Sequence, residues 1–133
     1  MSEDKNKQAV ETVQAYIAAY NCFDIDGMLA LAADDVVFRN IVNGKTELET
    51  RGVQALRELA VRSAEWFESR RQTVTQIVGN ADGTRIEAQI DYEAKLAVDL
   101  SPEAKAGRVL RLAGRSVFEL RDDGKLVVLE DYS

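Results

Sequence analysis

From Arg85 to Val98 the chain alternates almost without interruption. Ile86, Ala88, Ile90, Tyr92, Ala94, Leu96 and Val98 occupy the even positions, and mostly charged residues occupy the odd ones up to Lys95. A period of two puts all the apolar side chains on one face of a strand and the charged ones on the other. The run is longer than an ordinary strand of about five or six residues, so the sheet that contains it is expected to bend. Val109 to Arg121 repeats the pattern, with Leu110, Leu112, Ser116, Phe118 and Leu120 on the even face, and Gly114 predicts a bulge or kink. Residues 70–78 and Lys125 to Tyr132 read as two further strands.

The loop Asp122-Asp123-Gly124 sets an expected register. A three-residue loop ending in a left-handed glycine pairs Arg121 with Lys125. Phe118 then faces Val128, Leu120 faces Leu126, and Ser116 faces Glu130 on the inner side. Arg115 with Asp131 and Val117 with Leu129 fall on the outer side. A two-residue loop mismatches the faces.

The N-terminal part is helical in pattern. Val10, Val13, Ile17 and Tyr20 have helical spacing, which predicts a helix over 8–20 after a frayed tail at residues 1–7. Asp24 reads as the N-cap of a second helix carrying Ile25, Met28, Leu29 and Leu31, ended by Asp34-Asp35. Residues 36–42 are β-branched and short, hence a strand, and Asn43-Gly44 is a turn. A polar stretch from Lys45 to Arg51 leads into a third helix at about 52–68 with the stripe Val53, Leu56, Leu59, Ala60 and Phe67. Ser101-Pro102-Glu103 reads as a capped turn. One α+β domain over residues 1–133 follows: a curved antiparallel sheet wrapping a long helix, with two N-terminal helices.

Composition removes whole classes of function. The chain has 133 residues and no histidine, so Ser-His-Asp and Cys-His nucleophile systems and His-containing zinc sites are excluded. One cysteine, Cys22, makes neither an intrachain disulfide nor a thiolate cage. Acid–base chemistry falls to Asp, Glu, Tyr, Lys or water. A net charge of −6 argues against nucleic acid and anionic membrane. There is no phosphate-binding glycine loop, no membrane-length apolar run, and a charged N-terminus unlike a signal peptide. The expectation is a cytoplasmic protein without cofactor or metal.

Several short motifs, in order, resemble the nuclear transport factor 2-like superfamily, in its SnoaL-like and ketosteroid-isomerase-like branches. They are Tyr16-Ile17, Asp24-Ile25-Asp26-Gly27, Ala33-Asp34-Asp35-Val36-Val37-Phe38, Arg51-Gly52-Val53, and Asp123-Gly124-Lys125-Leu126 before a strand ending in Tyr132. The resemblance covers nearly the whole chain. It implies a cystatin-like α+β roll, a cone whose open end is a pocket. In the isomerase branch a Tyr on the first helix and a protonated Asp on a late strand form the oxyanion hole, and an Asp ending the first strand is the base. Here Tyr16 matches the Tyr, but Asn40 stands at the base and Ser116 at the oxyanion Asp. An amide does not take a proton at neutral pH, so ketosteroid isomerisation by that route is not expected.

Parity weighs the candidates further. Asn40 shares its face with Val36 and Phe38, which makes it either a pocket hydrogen-bonder or a turn residue. Tyr16 is a pocket donor or an amphipathic core tyrosine. Glu130, on the expected inner face, is the candidate proton carrier if the strand end is desolvated, and an ordinary wet carboxylate if it splays. Ser116, Trp66, Tyr92, Phe38 and Phe118 line the pocket or simply fill the core. Val117, Val127 and Leu129 on the expected outer face read as a homodimer contact. Two functions compete: a pocket that turns over a largely apolar carbonyl compound by cofactor-free isomerase, lyase or cyclase chemistry, and a non-catalytic ligand carrier or protein-association module.

Overall fold

The computed structural model describes residues 2–80 and 82–133. Its helices are α1 (Ser2–Asn21), α2 (Ile25–Ala30) and α3 (Val53–Ala64). Its strands are β1 (Ala32–Val42), β2 (Lys45–Arg51), β3 (Phe67–Gly79), β4 (Arg85–Leu96), β5 (Val109–Leu120) and β6 (Leu126–Tyr132). Met1 of the expected tail and Ala81 of the expected 79–83 turn lie outside the described residues. The rest of that tail belongs to α1, and Asn6 Nδ2 donates to the Asn80 carbonyl at 2.6 Å, tying the first turns to the β3–β4 loop.

Ala9, Val13, Tyr16 and Ile17 form the buried stripe of α1. Asp24 caps α2 as its sequence suggests, accepting from the Gly27 amide at 3.0 Å. Asn43 and Gly44 both take positive φ, 51° and 78°, which makes the tight β1–β2 turn. The stretch after it is a strand rather than a connector. β2 reads Lys-Thr-Glu-Leu-Glu-Thr-Arg and is polar on both faces, so alternation gives it no signature; it is an edge strand.

The six strands run in the order β2-β1-β6-β5-β4-β3. Four neighbouring pairs are antiparallel, but β1 and β6 are parallel, so the α+β sheet is mixed rather than wholly antiparallel. β6 enters between β1 and β5, and Leu126 at its start is fully buried, its amide bonded to the Leu31 carbonyl at 2.9 Å. Ile86, Ala88, Ile90, Phe118, Leu120, Leu126 and Leu129 meet α1 and α2 in one core.

Two register details differ from expectation. The β4–β5 ladder runs evenly from Arg85↔Glu119 to Lys95↔Val109, with no bulge at Gly114. A Cβ there would lie 2.5 Å from the Tyr132 carbonyl, so the glycine serves close approach of β6 instead. The bulge lies on β6. Arg121 and Lys125 close the hairpin at 2.9 Å and Leu120 faces Leu126, as the loop predicts. The next pair is Glu119↔Val128, so Val127 is skipped, and Phe118 then faces Leu129, Val117 faces Glu130 and Ser116 faces Asp131. One extra residue reverses the facing of everything after it.

Truncating Leu126 to Ala should cost about 2–5 kcal/mol, while Leu112→Ala, 56% exposed, should change stability by less than about 0.5 kcal/mol. Urea unfolding of both variants checks the contrast.

Candidate functional site

A cavity of about 330 Å³ opens between α1, α3 and the inner sheet face. β1 sends Phe38 and Asn40 into it, β5 sends Ser116 and Phe118, and β6 sends Leu129 and Asp131. Three polar side chains meet there because their strands are in register. Asp131 is the backbone partner of Asn40 across the parallel pair and of Ser116 across the antiparallel one. Ser116 Oγ donates to Asp131 Oδ1 at 2.7 Å. Burial in the wall pushes the Asp131 carboxyl above its ordinary 3.8, and the Ser116 hydrogen bond offsets only part of this.

Tyr16 is buried on α1 with its ring edge-on to Phe118 at 6.1 Å, and it faces the same hollow. Its hydroxyl is driven well above the usual tyrosine range, first by burial and then by the Asp131 charge. At the other side, the Tyr20 and Tyr92 hydroxyls lie 2.9 Å apart, and burial raises both. Trp66 and Phe67 join them, stacked edge-on at 6.4 Å. Arg70, on β3 and 5% exposed, lies between these rings. Its Nε donates to the Tyr20 carbonyl at 3.1 Å, and its guanidinium sits 3.7 Å from the Tyr20 ring centre and 4.4 Å from that of Phe23.

Tyr16, Asn40, Ser116, Phe38 and Phe118 therefore face one hollow, with Trp66 and Tyr92 farther along its wall. Glu130 does not. The Val127 bulge turns it to the convex face, where it accepts from Arg39 Nη1 at 2.9 Å and from the Tyr132 hydroxyl at 2.9 Å. Arg39 also bonds Glu49 at 2.7 Å, and Arg115 covers the Tyr132 ring and reaches Glu87. The same bulge takes Leu129 out of the expected apolar outer patch. Leu129 is a core residue, and Val117, between Glu87 and Glu130 in register, is 1% exposed; Val127 alone remains half-buried. Glu93 and Arg111, directly opposite in register on the outer face, bond at 2.9 Å.

Parity counting missed Asp131 because it assumes no bulge. The apolar run Leu126-Val127-Val128-Leu129 is the available signal, since both its ends need the core. Arg70 was equally visible as a cation sharing parity with Gln72 and Val74. Among the described residues no three Cys, Asp or Glu side chains converge as metal ligands would. No described helix is long and apolar enough to cross a membrane.

Residues 13–129 match the SnoaL-like domain family. The chain belongs to that family. Solved structures agree with this SnoaL-like fold. A candidate polyketide cyclase from Xanthomonas campestris pv. campestris superposes with a TM-score of 0.84 at 25% identity, over 97% of this chain and 92% of the other. A second candidate polyketide cyclase, from Pseudomonas putida KT2440, gives 0.73 at 26% identity, over 94% and 90%. A Mycobacterium tuberculosis protein solved with estradiol-17β-hemisuccinate shares the fold at 0.75 and 16% identity, over 95% and 93%. No curated protein matches the chain.

Because the folded state holds the Asp131 proton more tightly than the unfolded chain does, the Asp131 contribution to wild-type stability falls as pH rises from below 3.8 through the raised value. Asp131→Asn lacks this loss. Its stability relative to wild type should therefore climb across that window and then level off; a gap constant with pH in denaturant titrations would contradict the shift.

Proposed function

We propose that this SnoaL-like protein binds a small, largely apolar carbonyl compound in the cavity and moves a proton on it with Asp131. The chemistry is that of a cofactor-free isomerase, lyase or cyclase. One observation carries the reading: a carboxyl with a raised pKa stands in an apolar hollow, bonded to Ser116 and next to Asn40 in register. Desolvation makes such a carboxylate a stronger base than one in water, and general acid–base catalysis needs that strength within reach of the substrate.

The steps balance within the site. The Asp131 carboxylate takes a proton from the carbon beside a carbonyl, while the Asn40 amide or the Tyr16 hydroxyl donates a hydrogen bond to the carbonyl oxygen. The resulting enolate is reprotonated by Asp131 at another carbon (isomerisation), expels a leaving group that takes up the Asp131 proton (elimination), or attacks a second carbonyl in the same molecule (ring closure). In ring closure, the protonated Asp131 returns its proton to the new alkoxide. Asp131 thus takes the role that parity assigned to Glu130. Ketosteroid isomerisation by two carboxyls stays outside this reading, since Asn40 and Ser116 occupy those two positions. The two cyclase-like relatives support the ring-closure variant. The one-domain organisation and a reducing, cytoplasmic setting, consistent with exposed Cys22, belong to the same proposal.

Deuterium uptake by 2-tetralone in D2O, followed by proton NMR, tests the proton step. Wild type should accelerate exchange beside the carbonyl, and Asp131→Asn should lose about 100-fold or more of that acceleration. Equal exchange in both proteins, or none above buffer, sinks the catalytic reading and leaves the carrier.

Homodimerisation through the convex face of the sheet is the remaining part. It now rests on Val127 and the flanking ion pairs rather than on Leu129. Light scattering at micromolar concentration should give twice the chain mass; a monomer ends this idea.

A further inference from the structure

Arg70 is a buried cation with no counter-ion among the described residues. Its side chain points inward by parity with Gln72 and Val74, and it forms part of the cavity wall. Among the described residues no carboxylate lies within ion-pair distance of it. The Tyr20 carbonyl takes its Nε donor, and among the described residues the Nη2 atom is buried with no hydrogen-bond partner. Two ring faces and one carbonyl at the end of α1 soften the charge. They do not replace the acceptors that a planar guanidinium fork is built for. A helix end needs only one donor here, and a neutral glutamine would supply it without burying a charge.

The surroundings narrow what could complete it. The hydroxyls of Tyr16, Tyr20 and Tyr92 feel both charges of the hollow, Arg70 and Asp131, in opposite senses. The cavity wall is mostly apolar and carries a cation and an acid as separate groups. A ligand with one negative charge satisfies the cation. A doubly charged phosphate would meet the Asp131 carboxylate in the same small space.

We propose that the ligand of this cavity carries a carboxylate, bound by the Arg70 fork, on a body that is otherwise apolar. This rests on the ligand-binding reading above and narrows it to carboxylic acids. The Tyr20–Tyr92 hydroxyl pair adds to the recognition: one hydroxyl donates to the other, and the second proton of the pair is free for the ligand. Arg70 is a binding residue in this assignment, not a proton carrier.

Isothermal titration with 2-naphthoate and its neutral counterpart 2-naphthamide tests it. Wild type should bind the acid at least tenfold more tightly than the amide. Arg70→Met should erase that preference and keep the affinity for the amide. Its melting temperature without ligand should be no lower than wild type, because an unpaired buried charge has been replaced by an apolar chain. Arg70→Lys keeps the charge but loses the fork, so the preference should shrink without vanishing; this variant carries the test if the methionine variant fails to fold. Equal binding of the two ligands by wild type overturns the carboxylate assignment and leaves the apolar pocket standing. Binding of neither overturns both. A preference that survives in Arg70→Met, together with a lower melting temperature, shows that the arginine only caps α1 and overturns the assignment.

Discussion

Val127 has no register partner on either neighbouring strand, and the composition of the hollow depends on that. Side chains alternate faces along a strand, so an unpaired residue in mid-strand exchanges the two faces beyond it. On one side of Val127, Leu126 fills the core between α2 and the sheet. On the other side, Leu129 and Asp131 face inward, and Val128 and Glu130 face out. Both acids are placed by the same step. Glu130 goes where Arg39 and Tyr132 can satisfy it, and Asp131 goes where one serine hydroxyl is its hydrogen-bond donor. Without the bulge the well-partnered acid and the poorly partnered one would trade places.

The convex and concave faces of the sheet treat charge in opposite ways. Outside, Glu49, Arg39, Glu130, Tyr132, Arg115 and Glu87 form a chain of bonds across five strands. Each pair is partly exposed and individually weak, but together they hold the strand ends that carry the site. Inside, Arg70 is buried and Asp131 half-buried, and neither reaches the other as an ion pair. Buried ionisable groups left short of partners reduce stability. A chain stabilised only for folding would join such groups or replace them with apolar ones. Two such groups on the wall of one hollow, not paired with each other, are the arrangement expected of groups whose partner is a ligand.

Much of the architecture was readable because alternation in β4 and β5 and helical spacing in α1 are strong signals that tertiary packing reinforces. Asp24 as a cap and Asn43-Gly44 as a turn were legible from local chemistry alone. β2 was not, since an edge strand with two wet faces has no periodic pattern. The parallel junction of β1 with β6 was not, since strand order depends on contacts far apart in sequence. In the site, Tyr16, Asn40 and Ser116 were singled out by the resemblance, with strand parity agreeing for Asn40 and Ser116, and all three line the hollow. Asp131 was missed for one reason, the skipped residue at Val127, and Leu129 was assigned to the surface for the same reason. Arg70 was missed because the strand over residues 70–78 was read without assigning its inward face.

Gly114 shows how tightly this placement is held. Its α-carbon lies where β5 passes the end of β6, and any side chain would strike the Tyr132 carbonyl. Two residues along β5 and one residue back along β6 stand Ser116 and Asp131, which are hydrogen-bonded to each other on the wall of the hollow. The absence of a side chain at position 114 lets the end of β6 approach far enough for the 2.7 Å hydrogen bond between them. The site is thus set by two backbone events on neighbouring strands. The bulge chooses which acid faces in, and the glycine sets how near that acid comes to the serine.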